Sequence, residues 1–349
     1  MILNCMLGTG FGGLEKLFLD EIEMLPMAGM AARGLVRRKT PLARYARERG
    51  LACDEILVPS DWDPLSRAAV RSVLNLRSPE LVMCVGRKAH RLLGRAAGTS
   101  MPIVVMVQKR RFDRNFPYAG VLVAAEHRRL TLIEDGVAAR DVVVIPNAVR
   151  LPQKPKEDYR ARPQAKIVAL GRLHEKKGFE VLIEAMKILA GRGIDCTCAI
   201  AGEGPERARL QNQIDREGLT SRTFLPGWTD NVAAFLAGRD IFALPSFQED
   251  LPLAVLDAMA SGMPIVATAI DGPTELLTGG DTALLVPPHD PVALADALAR
   301  LIEDRALRER LGRAARDAAV QNYSFESIGR RLALALRNVL EGRPISSGA

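Results

Sequence analysis

Short apolar runs alternate with amphipathic stretches through the second half of the chain. The runs are typical of strands buried in a sheet, and they predict strands at 166–170, 196–201, 241–245 and 264–269. Apolar positions at three- and four-residue spacing predict helices between them, at 179–190, 205–217, 232–236 and 253–261. This alternation predicts a doubly wound α/β domain with a parallel sheet.

The first half of the chain repeats the pattern with weaker strands. Strands are predicted at 1–7, 81–85, 103–107, 121–124 and 142–145, and helices near 14–24 and 65–76. The stretch 151–164 holds three prolines and many charges without an apolar period, which predicts a linker. We therefore expect two similar domains on either side of it.

The chain from residue 290 onward has a helical pattern. Apolar spacing predicts helices at 291–303 and 306–321, and Ser324 is expected to cap a last helix that ends near residue 340. The expected fold class is α/β, with two doubly wound Rossmann-like domains and a helical C-terminal tail.

Composition narrows the kind of protein. Hydrophobic residues make up 48% and charged residues 26% of the chain, which is the balance of a packed soluble protein. The five scattered cysteines indicate reduced thiols rather than a disulfide framework. The sequence shows neither a basic leader with a cleavage site nor an apolar window of roughly 20 residues. We therefore expect a cytoplasmic protein.

Charge is distributed unevenly along the chain. Residues 1–150 contain 23 Lys and Arg against 15 Asp and Glu, a net charge of +8, whereas the remainder contains 25 against 26. A basic first half indicates an anionic partner. Aromatic residues are sparse at 5% and no recognition motif is present, so nucleic acid is not expected to be that partner.

A cationic turn follows the first predicted strand of the second half. The strand ends at Gly171, and a turn containing Arg172 and Lys177 runs to Gly178 before the next helix. Such a turn lies at the carboxyl edge of a parallel sheet, where open α/β domains bind ligands. The Arg172 guanidinium can bind two phosphate oxygens and Lys177 can supply a point charge beside them. The alternative is a solvated charged turn.

A second motif places two carboxylates around a helix start. Glu249 lies in a polar loop after a predicted strand, and Asp257 lies in the following helix, with seven residues between them. Carboxylates so placed can accept hydrogen bonds from sugar and ribose hydroxyl groups, and the helix N-terminus favours a diphosphate.

With the Gly12-Gly13 loop and the sequence Ile145-Pro146-Asn147, these motifs resemble the family-four retaining glycosyltransferases, including bacterial lipopolysaccharide and capsule sugar transferases. The resemblance implies two facing Rossmann-like domains of the glycosyltransferase B type. An acceptor-binding domain at 1–150 would be completed by the last helix at about 325–349. The linker 151–164 would lead to a donor-binding domain at 165–324.

The resemblance also implies an activity. The enzyme would move a sugar from a nucleotide-sugar donor to a saccharide or lipid-linked saccharide acceptor, with retention at the anomeric carbon. The nucleotide sugar is a substrate, and neither a cofactor nor a divalent metal is implied. The expected process is the synthesis of lipopolysaccharide or another cell-envelope polysaccharide.

Residue roles follow from matching positions in that family. Arg172 and Lys177 would hold the donor diphosphate, and Glu249 would contact the transferred sugar; these three are the expected catalytic residues. Asp257 would bind ribose, although the family usually has the longer glutamate there. The remaining expected donor contacts are Gly12, Gly13, Gly171, Asp250, Leu251 and Leu253.

The chain departs from the family in two further places. Gln108 stands where relatives often have a histidine, and Lys109, Arg110 and Arg111 follow it as expected acceptor-facing or membrane-facing residues. The family's glycine-rich loop is replaced by Asp250-Leu251-Pro252, and Pro252 cannot donate a backbone hydrogen bond.

Two alternative functions stay open. Residues 8–13 also match a dinucleotide-binding fingerprint, and Arg33 could bind a 2′-phosphate, as in an NADP-dependent oxidoreductase. The other alternative is a non-catalytic nucleotide-sugar-binding partner. Asp61 and Asp63 imitate a metal-binding pair, but Asp63 before Pro64 is the expected start of a helix.

The basic residues of the first half form clusters. We expect them to dock the first domain on the anionic inner leaflet of the cytoplasmic membrane, the alternative being a solvated basic face. The clusters are Arg33, Arg37, Arg38 and Lys39; Arg87, Lys88, Arg91 and Arg95; and Lys109, Arg110 and Arg111.

Overall fold

A computed structural model of the chain describes residues 1–60, 62–97, 101–107, 114–160 and 163–348. It divides into two compact units. The first contains Met1–Ala148 and Phe325–Ala349, and the second contains Val149–Ser324. Each unit is an open parallel sheet with helices packed on it.

Over its described residues, the first unit has a seven-stranded sheet in the order β3-β2-β1-β4-β5-β6-β7. All neighbouring strands in it run parallel. The strands are β1 Ile2–Met6, β2 Ala32–Arg37, β3 Cys53–Ile56, β4 Leu81–Val85, β5 Ile103–Met106, β6 Gly120–Val123 and β7 Val142–Val144. The helices are α1 Gly13–Met27, α2 Pro41–Glu48, α3 Pro64–Arg77, α4 Arg87–Ala96 and α5 Glu126–Glu134, with a 3-10 turn at Ala139–Asp141.

The second unit has a six-stranded parallel sheet in the order β10-β9-β8-β11-β12-β13 over the part of the chain that is described. Its strands are β8 Ala165–Leu170, β9 Cys196–Ala201, β10 Thr223–Gly227, β11 Ile241–Leu244, β12 Ile265–Thr268 and β13 Leu284–Val286. Its helices are α6 Phe179–Gly191, α7 Arg207–Arg216, α8 Val232–Leu236, α9 Leu253–Ala260, α10 Asp271–Leu276, α11 Pro291–Glu303 and α12 Arg305–Tyr323, with a 3-10 turn at Glu175–Lys177.

The last helix, α13 (Phe325–Leu340), returns to the first unit. Its buried residues Ile328, Leu332 and Leu336 share a core with Ile2 and Met83 of the first sheet. An apolar face at helical spacing is therefore covered by strands from the opposite end of the chain.

Several helix starts follow from local capping chemistry. The Asp290 side chain accepts a hydrogen bond from the Ala293 amide at 2.8 Å, and Pro291 occupies the first helical position of α11. Asp304 accepts from the Leu307 amide at 2.9 Å in the same way at the start of α12. These side chains satisfy amides that have no intrahelical partner, which fixes where each helix begins.

The strands that the apolar pattern did not predict lie at or near sheet edges. β3, β10 and β13 are edge strands, and β2 is the neighbour of an edge. Polar side chains are tolerated there because only part of the strand is buried. Arg33 in β2 pairs with Asp54 in β3 at 2.8 Å, and Pro226 interrupts β10. The apolar period is therefore weak in β2, β3 and β10, whereas β13 (Leu284–Val286) is apolar and only three residues long.

The stretch predicted as a linker is anchored on the second unit by Tyr159. This side chain is buried, and its hydroxyl donates to the Gly262 carbonyl at 2.8 Å. The guanidinium of Arg308 in turn donates to the Tyr159 carbonyl at 2.9 Å. One aromatic residue thus orders a segment that has no apolar period.

Two expectations of the sequence analysis concern the cysteines and the helices. All five cysteines are free in the structure and four of them are buried. That the thiols are reduced stays a prediction. Among the residues that the structure describes, no helix has the length and apolar character needed to cross a bilayer.

Candidate active site

The strand order places two loops side by side in the second sheet. Strands β8 to β10 extend in one direction and β11 to β13 in the other, so β8 and β11 are neighbours where the order reverses. The turn 171–178 follows β8 and the loop 245–252 follows β11, both at the carboxyl edge. Ligands of open α/β sheets bind at such a reversal point.

Lys177 and Glu249 meet at this point. The Lys177 Nζ atom donates to both carboxylate oxygens of Glu249, at 2.6 Å and 2.8 Å. The Glu249 side chain is only 8% exposed and the Lys177 side chain 25%. The Ser246 hydroxyl also donates to Glu249 at 2.7 Å. The structure therefore brings together two of the three predicted catalytic side chains.

A glycine allows the turn 171–178 and the loop 245–252 to approach each other closely. Gly178 has a φ of +60°, and a Cβ atom at this position would lie 2.1 Å from the Pro245 carbonyl oxygen. The Phe247 amide donates to the Lys176 carbonyl at 2.8 Å across the same contact. A Cβ atom at Gly171 would lie 3.3 Å from the Phe179 ring and at an ordinary contact distance of 3.6 Å from the Lys177 side chain. Gly178 is therefore the glycine on which the close approach of the two loops depends.

Arg172 lies in the same turn but points to solvent. Its side chain is exposed, and no described residue forms a hydrogen bond or ion pair with its guanidinium. The structure does not bring Arg172 into the Lys177–Glu249 contact. Its donors are available to a ligand at the carboxyl edge.

A loop that the sequence analysis missed supports this turn from the β9 side. A Cβ atom at Gly202 would lie 1.8 Å from the Gly171 carbonyl oxygen, and one at Gly204 would lie 2.1 Å from the Leu173 carbonyl oxygen. The Leu173 amide also donates to the Glu203 carbonyl at 2.9 Å. A glycine-rich sequence directly after a predicted strand could have revealed this packing of one loop on another. It is Gly202-Glu203-Gly204-Pro205.

The remaining predicted donor contacts follow Glu249 along the chain. Asp250 and Leu251 lie in the loop, Leu253 is the first residue of α9, and Asp257 lies one turn further on, half-buried. Pro252 precedes the helix without a side-chain cap. The first amides of α9 therefore keep the positive end of the helix available to an anion.

Gly12 and Gly13 lie in the first unit, between β1 and α1. Gly12 has an extended backbone, with φ −171°, and Gly13 is the first residue of the helix. A Cβ atom at Gly8 or at Gly12 would lie 3.7 Å from the Glu15 carboxylate. A negative group thus already faces this loop, and a donor role for Gly12 and Gly13 stays a prediction.

Arg33 has a protein partner in the structure. It donates to Asp54 at 2.8 Å, and Arg77 donates to the same carboxylate at 2.7 Å and 3.0 Å. Burial raises the pKa of Asp54, but the hydrogen bonds from Arg77 and Arg33 outweigh it and leave that pKa below its usual value. Arg33 therefore stabilises the edge of the first sheet through Asp54, and its guanidinium is not free to bind a 2′-phosphate.

The expected helix cap at Asp63 is confirmed. The Asp63 carboxylate accepts from the Ser66 amide at 2.9 Å, and Pro64 is the first residue of α3. His174 caps the 3-10 turn, since its Nδ1 accepts from the Lys176 amide at 3.3 Å. Over the described ranges, no group of three or more His, Cys, Asp and Glu side chains is arranged to hold a metal ion.

Five residues of the sequence hypotheses lie outside the described residues. They are Asp61 of the imitated metal pair, Gln108 at the position of the family histidine, and the expected acceptor-facing or membrane-facing residues Lys109, Arg110 and Arg111.

One cavity of the second unit lies away from Lys177 and Glu249. It has a volume of about 690 Å³ and is lined by residues that include Arg192, Ile194, Asp296 and Glu303. These residues follow α6 or lie in α11, at the amino edge of the sheet. Arg192 and Asp296 pair with each other at 2.6 Å. The loops that carry Lys177 and Glu249 are at the opposite edge.

The fold matches solved structures over nearly the whole chain. The Anabaena protein HepE, solved in complex with UDP and glucose, superimposes with a TM-score of 0.80 over 96% of this chain and 99% of HepE, at 20% sequence identity. Two doubly wound units of this kind define the two-Rossmann-domain glycosyltransferase fold, as the sequence predicted.

Sequence comparison identifies the family. The model of the family described as "Glycosyl transferases group 1" matches residues 153–318. The lipopolysaccharide core biosynthesis glycosyltransferase LpsD of Rhizobium meliloti is 33% identical over 332 residues, which are 94% of this chain and 95% of LpsD. The chain belongs to the glycosyl transferase group 1 family.

Another relative matches only in part. The α-D-kanosaminyltransferase of Streptomyces kanamyceticus is 33% identical over 186 residues, which are 53% of this chain and 48% of that enzyme. The match thus spans about half the length of this relative. The comparisons give no support to the NADP-dependent alternative.

Proposed function

We propose that this protein is a retaining, metal-independent glycosyltransferase that uses a nucleotide-sugar donor. The acceptor is a saccharide or lipid-linked saccharide in the synthesis of lipopolysaccharide or a related cell-envelope polysaccharide. The observation that carries the proposal is the Lys177–Glu249 contact at the reversal point of the second sheet. The similarity to LpsD and the UDP and glucose bound to HepE support it.

Lys177 and Glu249 can both still form hydrogen bonds to a nucleotide-sugar donor. An ammonium group has three donors, and Lys177 gives at most two of them to Glu249, so one can reach a donor phosphate. Arg172 adds a cation that binds phosphate in a fork geometry. Glu249 is held in place by Lys177 and Ser246 and keeps lone pairs for a sugar hydroxyl.

The transfer step is a displacement at the anomeric carbon. The acceptor hydroxyl oxygen forms a bond to that carbon on the face from which the diphosphate leaves, and the bond from the carbon to the phosphate oxygen breaks. The hydroxyl proton passes to the departing diphosphate. Negative charge grows on the diphosphate, and Lys177, Arg172 and the N-terminus of α9 are suited to stabilise it. This supply of positive charge is the reason for proposing metal independence.

Asp257 and the glycine loops complete the proposed donor site. Asp257 would bind the ribose, with a reach one methylene shorter than glutamate. Gly171 would let the donor approach the turn backbone, and Asp250, Leu251 and Leu253 would line the diphosphate.

Docking on the inner leaflet of the cytoplasmic membrane is also part of the proposal. Arg95 lies over the ring of Trp62 at 3.6 Å from its centroid, and Trp62 and Leu65 are exposed. Cations beside exposed apolar side chains suit an anionic bilayer surface. We expect flotation with anionic vesicles at low salt and its loss at high salt. A lack of binding at low salt would refute the docking.

Thermal unfolding against a panel of UDP-, GDP- and ADP-sugars tests the donor. A ligand at about 100 times its dissociation constant stabilises a protein by roughly 2.7 kcal/mol, so one nucleotide series should raise the melting temperature clearly. Transfer of labelled sugar to a saccharide acceptor, with and without EDTA, then tests activity and metal independence. Donor binding without transfer would indicate the non-catalytic partner instead.

A further inference from the structure

A second cavity opens at the corresponding position of the first sheet. It has a volume of about 120 Å³ and is lined by Leu7, Arg37, Val58, Pro59, Ser60 and Lys88. These residues end β2, follow β1 or β3 within four residues, or lie in the first turn of α4 after β4. The cavity is therefore at the carboxyl edge, where the strand order reverses between β1 and β4.

The polar lining of this cavity is cationic. Arg37 and Lys88 line it, and no carboxylate among the described residues pairs with either side chain. The first turn of α4 contains no acidic residue and has no side-chain cap. Lysine near a helix N-terminus is unfavourable because the helix dipole is positive there. Two cationic side chains thus line one small cavity beside the N-terminus of α4, and a bound anion would relieve their repulsion.

Size and chemistry limit the ligand. The volume is several times the roughly 30 Å³ that one water molecule occupies in the liquid, and below the roughly 300 Å³ at which small-molecule sites begin. The cavity therefore suits one functional group rather than a whole sugar. An arginine fork, a lysine and a serine hydroxyl are usual partners of a phosphate, and Arg37, Lys88 and Ser60 supply them here.

We infer that this cavity is a phosphate-binding subsite for the acceptor, with Arg37 and Lys88 as its cationic ligands and the Ser60 hydroxyl as a hydrogen-bond donor. The inference rests on the proposed function for the identity of the acceptor, but phosphate binding itself does not. This inference assigns Arg37 and Lys88 to a specific binding site, whereas the sequence analysis placed them in basic clusters of a membrane-docking surface.

The test measures binding of inorganic phosphate by ³¹P NMR line broadening at constant ionic strength. It uses the double variant Arg172→Ala/Lys177→Ala as the background, which removes both cationic side chains of the proposed donor site. Arg37→Gln and Lys88→Gln are compared with Arg140→Gln, an exposed arginine before β7 at the amino edge of the same sheet. We expect the first two changes to weaken phosphate binding by about tenfold or more, since each removes a charge-assisted hydrogen bond, and Arg140→Gln to leave it unchanged.

Two further experiments distinguish a phosphorylated saccharide acceptor from a lipid headgroup as the source of the phosphate. In transfer assays with Arg172 and Lys177 intact, Arg37→Gln should raise KM for a phosphorylated saccharide acceptor, leaving KM for the donor and for the dephosphorylated acceptor unchanged. Flotation with phosphatidylglycerol vesicles should be the same for Arg37→Gln and Arg140→Gln. Equal phosphate binding in Arg37→Gln and Arg140→Gln would overturn the inference, as would a loss confined to vesicle binding. Absence of donor binding would refute the proposed function alone.

Discussion

The Nζ atom of Lys177 lies 2.6 Å from one carboxylate oxygen of Glu249 and 2.8 Å from the other, although the two residues are 72 positions apart along the chain. The contact exists because β8 and β11 are neighbours in the sheet. It places a cation for a diphosphate and a carboxylate for a sugar hydroxyl side by side.

Glu249 and Asp257 should affect the donor in different ways. We expect Glu249→Gln to impair sugar transfer more than nucleotide binding, because the carboxylate would contact the sugar. Asp257→Ala should reduce nucleotide affinity instead, because it would contact the ribose. Calorimetry with the bare nucleotide and with the matching sugar donor measures both. A reversed pattern would mean that the two roles are exchanged.

Gly178 should be needed for the geometry of the site. Gly178→Ala brings a Cβ atom within 2.1 Å of the Pro245 carbonyl at a φ of +60°, so the two loops must separate. We expect a loss of stability of roughly 1–3 kcal/mol together with loss of donor binding. The matched control is Gly193→Ala, which has a φ of +74° but no atom within 4 Å of the added group.

Urea unfolding of the two glycine variants, combined with donor titration, checks this expectation. Gly193→Ala carries the backbone strain alone and should bind donor normally. Normal donor binding by Gly178→Ala would show that the close approach of the loops is not required.

A buried acid in the first unit should make stability depend on pH. Burial raises the pKa of Glu21 from 4.5 to about 8, and the hydrogen bond from Asn4 only partly opposes this. Between these values the folded state keeps a proton that the unfolded state releases. Unfolding free energy should therefore fall as pH rises from about 4.5 to about 8, by at most about 1.4 kcal/mol per pH unit.

Urea denaturation from pH 5 to pH 8 measures this slope. Glu21→Gln should flatten it, and Glu23→Gln, a half-buried change in the same helix, should retain it. An equal slope in wild type and Glu21→Gln would contradict the assignment to Glu21.

Most of the strands that the sequence predicted are largely apolar, because burial on both faces of a sheet leaves a nearly continuous apolar run. β13 (Leu284–Val286) is apolar and was nevertheless missed. β4 and β9 agree with their predicted bounds at both ends. β2 and β3 were missed because Arg33 and Asp54 satisfy each other across the ladder, which a single-strand pattern does not reveal. Tyr159 likewise orders a proline-rich segment through long-range contacts.

Parts of the site were predictable for a different reason. Lys177 and Glu249 were recognised from their motifs, yet their contact depends on the strand order, which sequence spacing does not determine. The support of Gly171 and Leu173 by Gly202 and Gly204 is a backbone packing relationship, and only the glycine spacing hints at it.

The most direct test of the donor site compares Lys177→Ala with Lys176→Ala, since Lys176 is an exposed lysine in the same 3-10 turn. Initial rates of sugar transfer and donor affinity are measured for both variants and for Arg172→Ala. We expect Lys177→Ala and Arg172→Ala each to lose roughly 2–4 kcal/mol of transition-state stabilisation, and Lys176→Ala to behave as wild type. Normal donor affinity and transfer in both Lys177→Ala and Arg172→Ala would contradict the placement of the donor diphosphate at this turn.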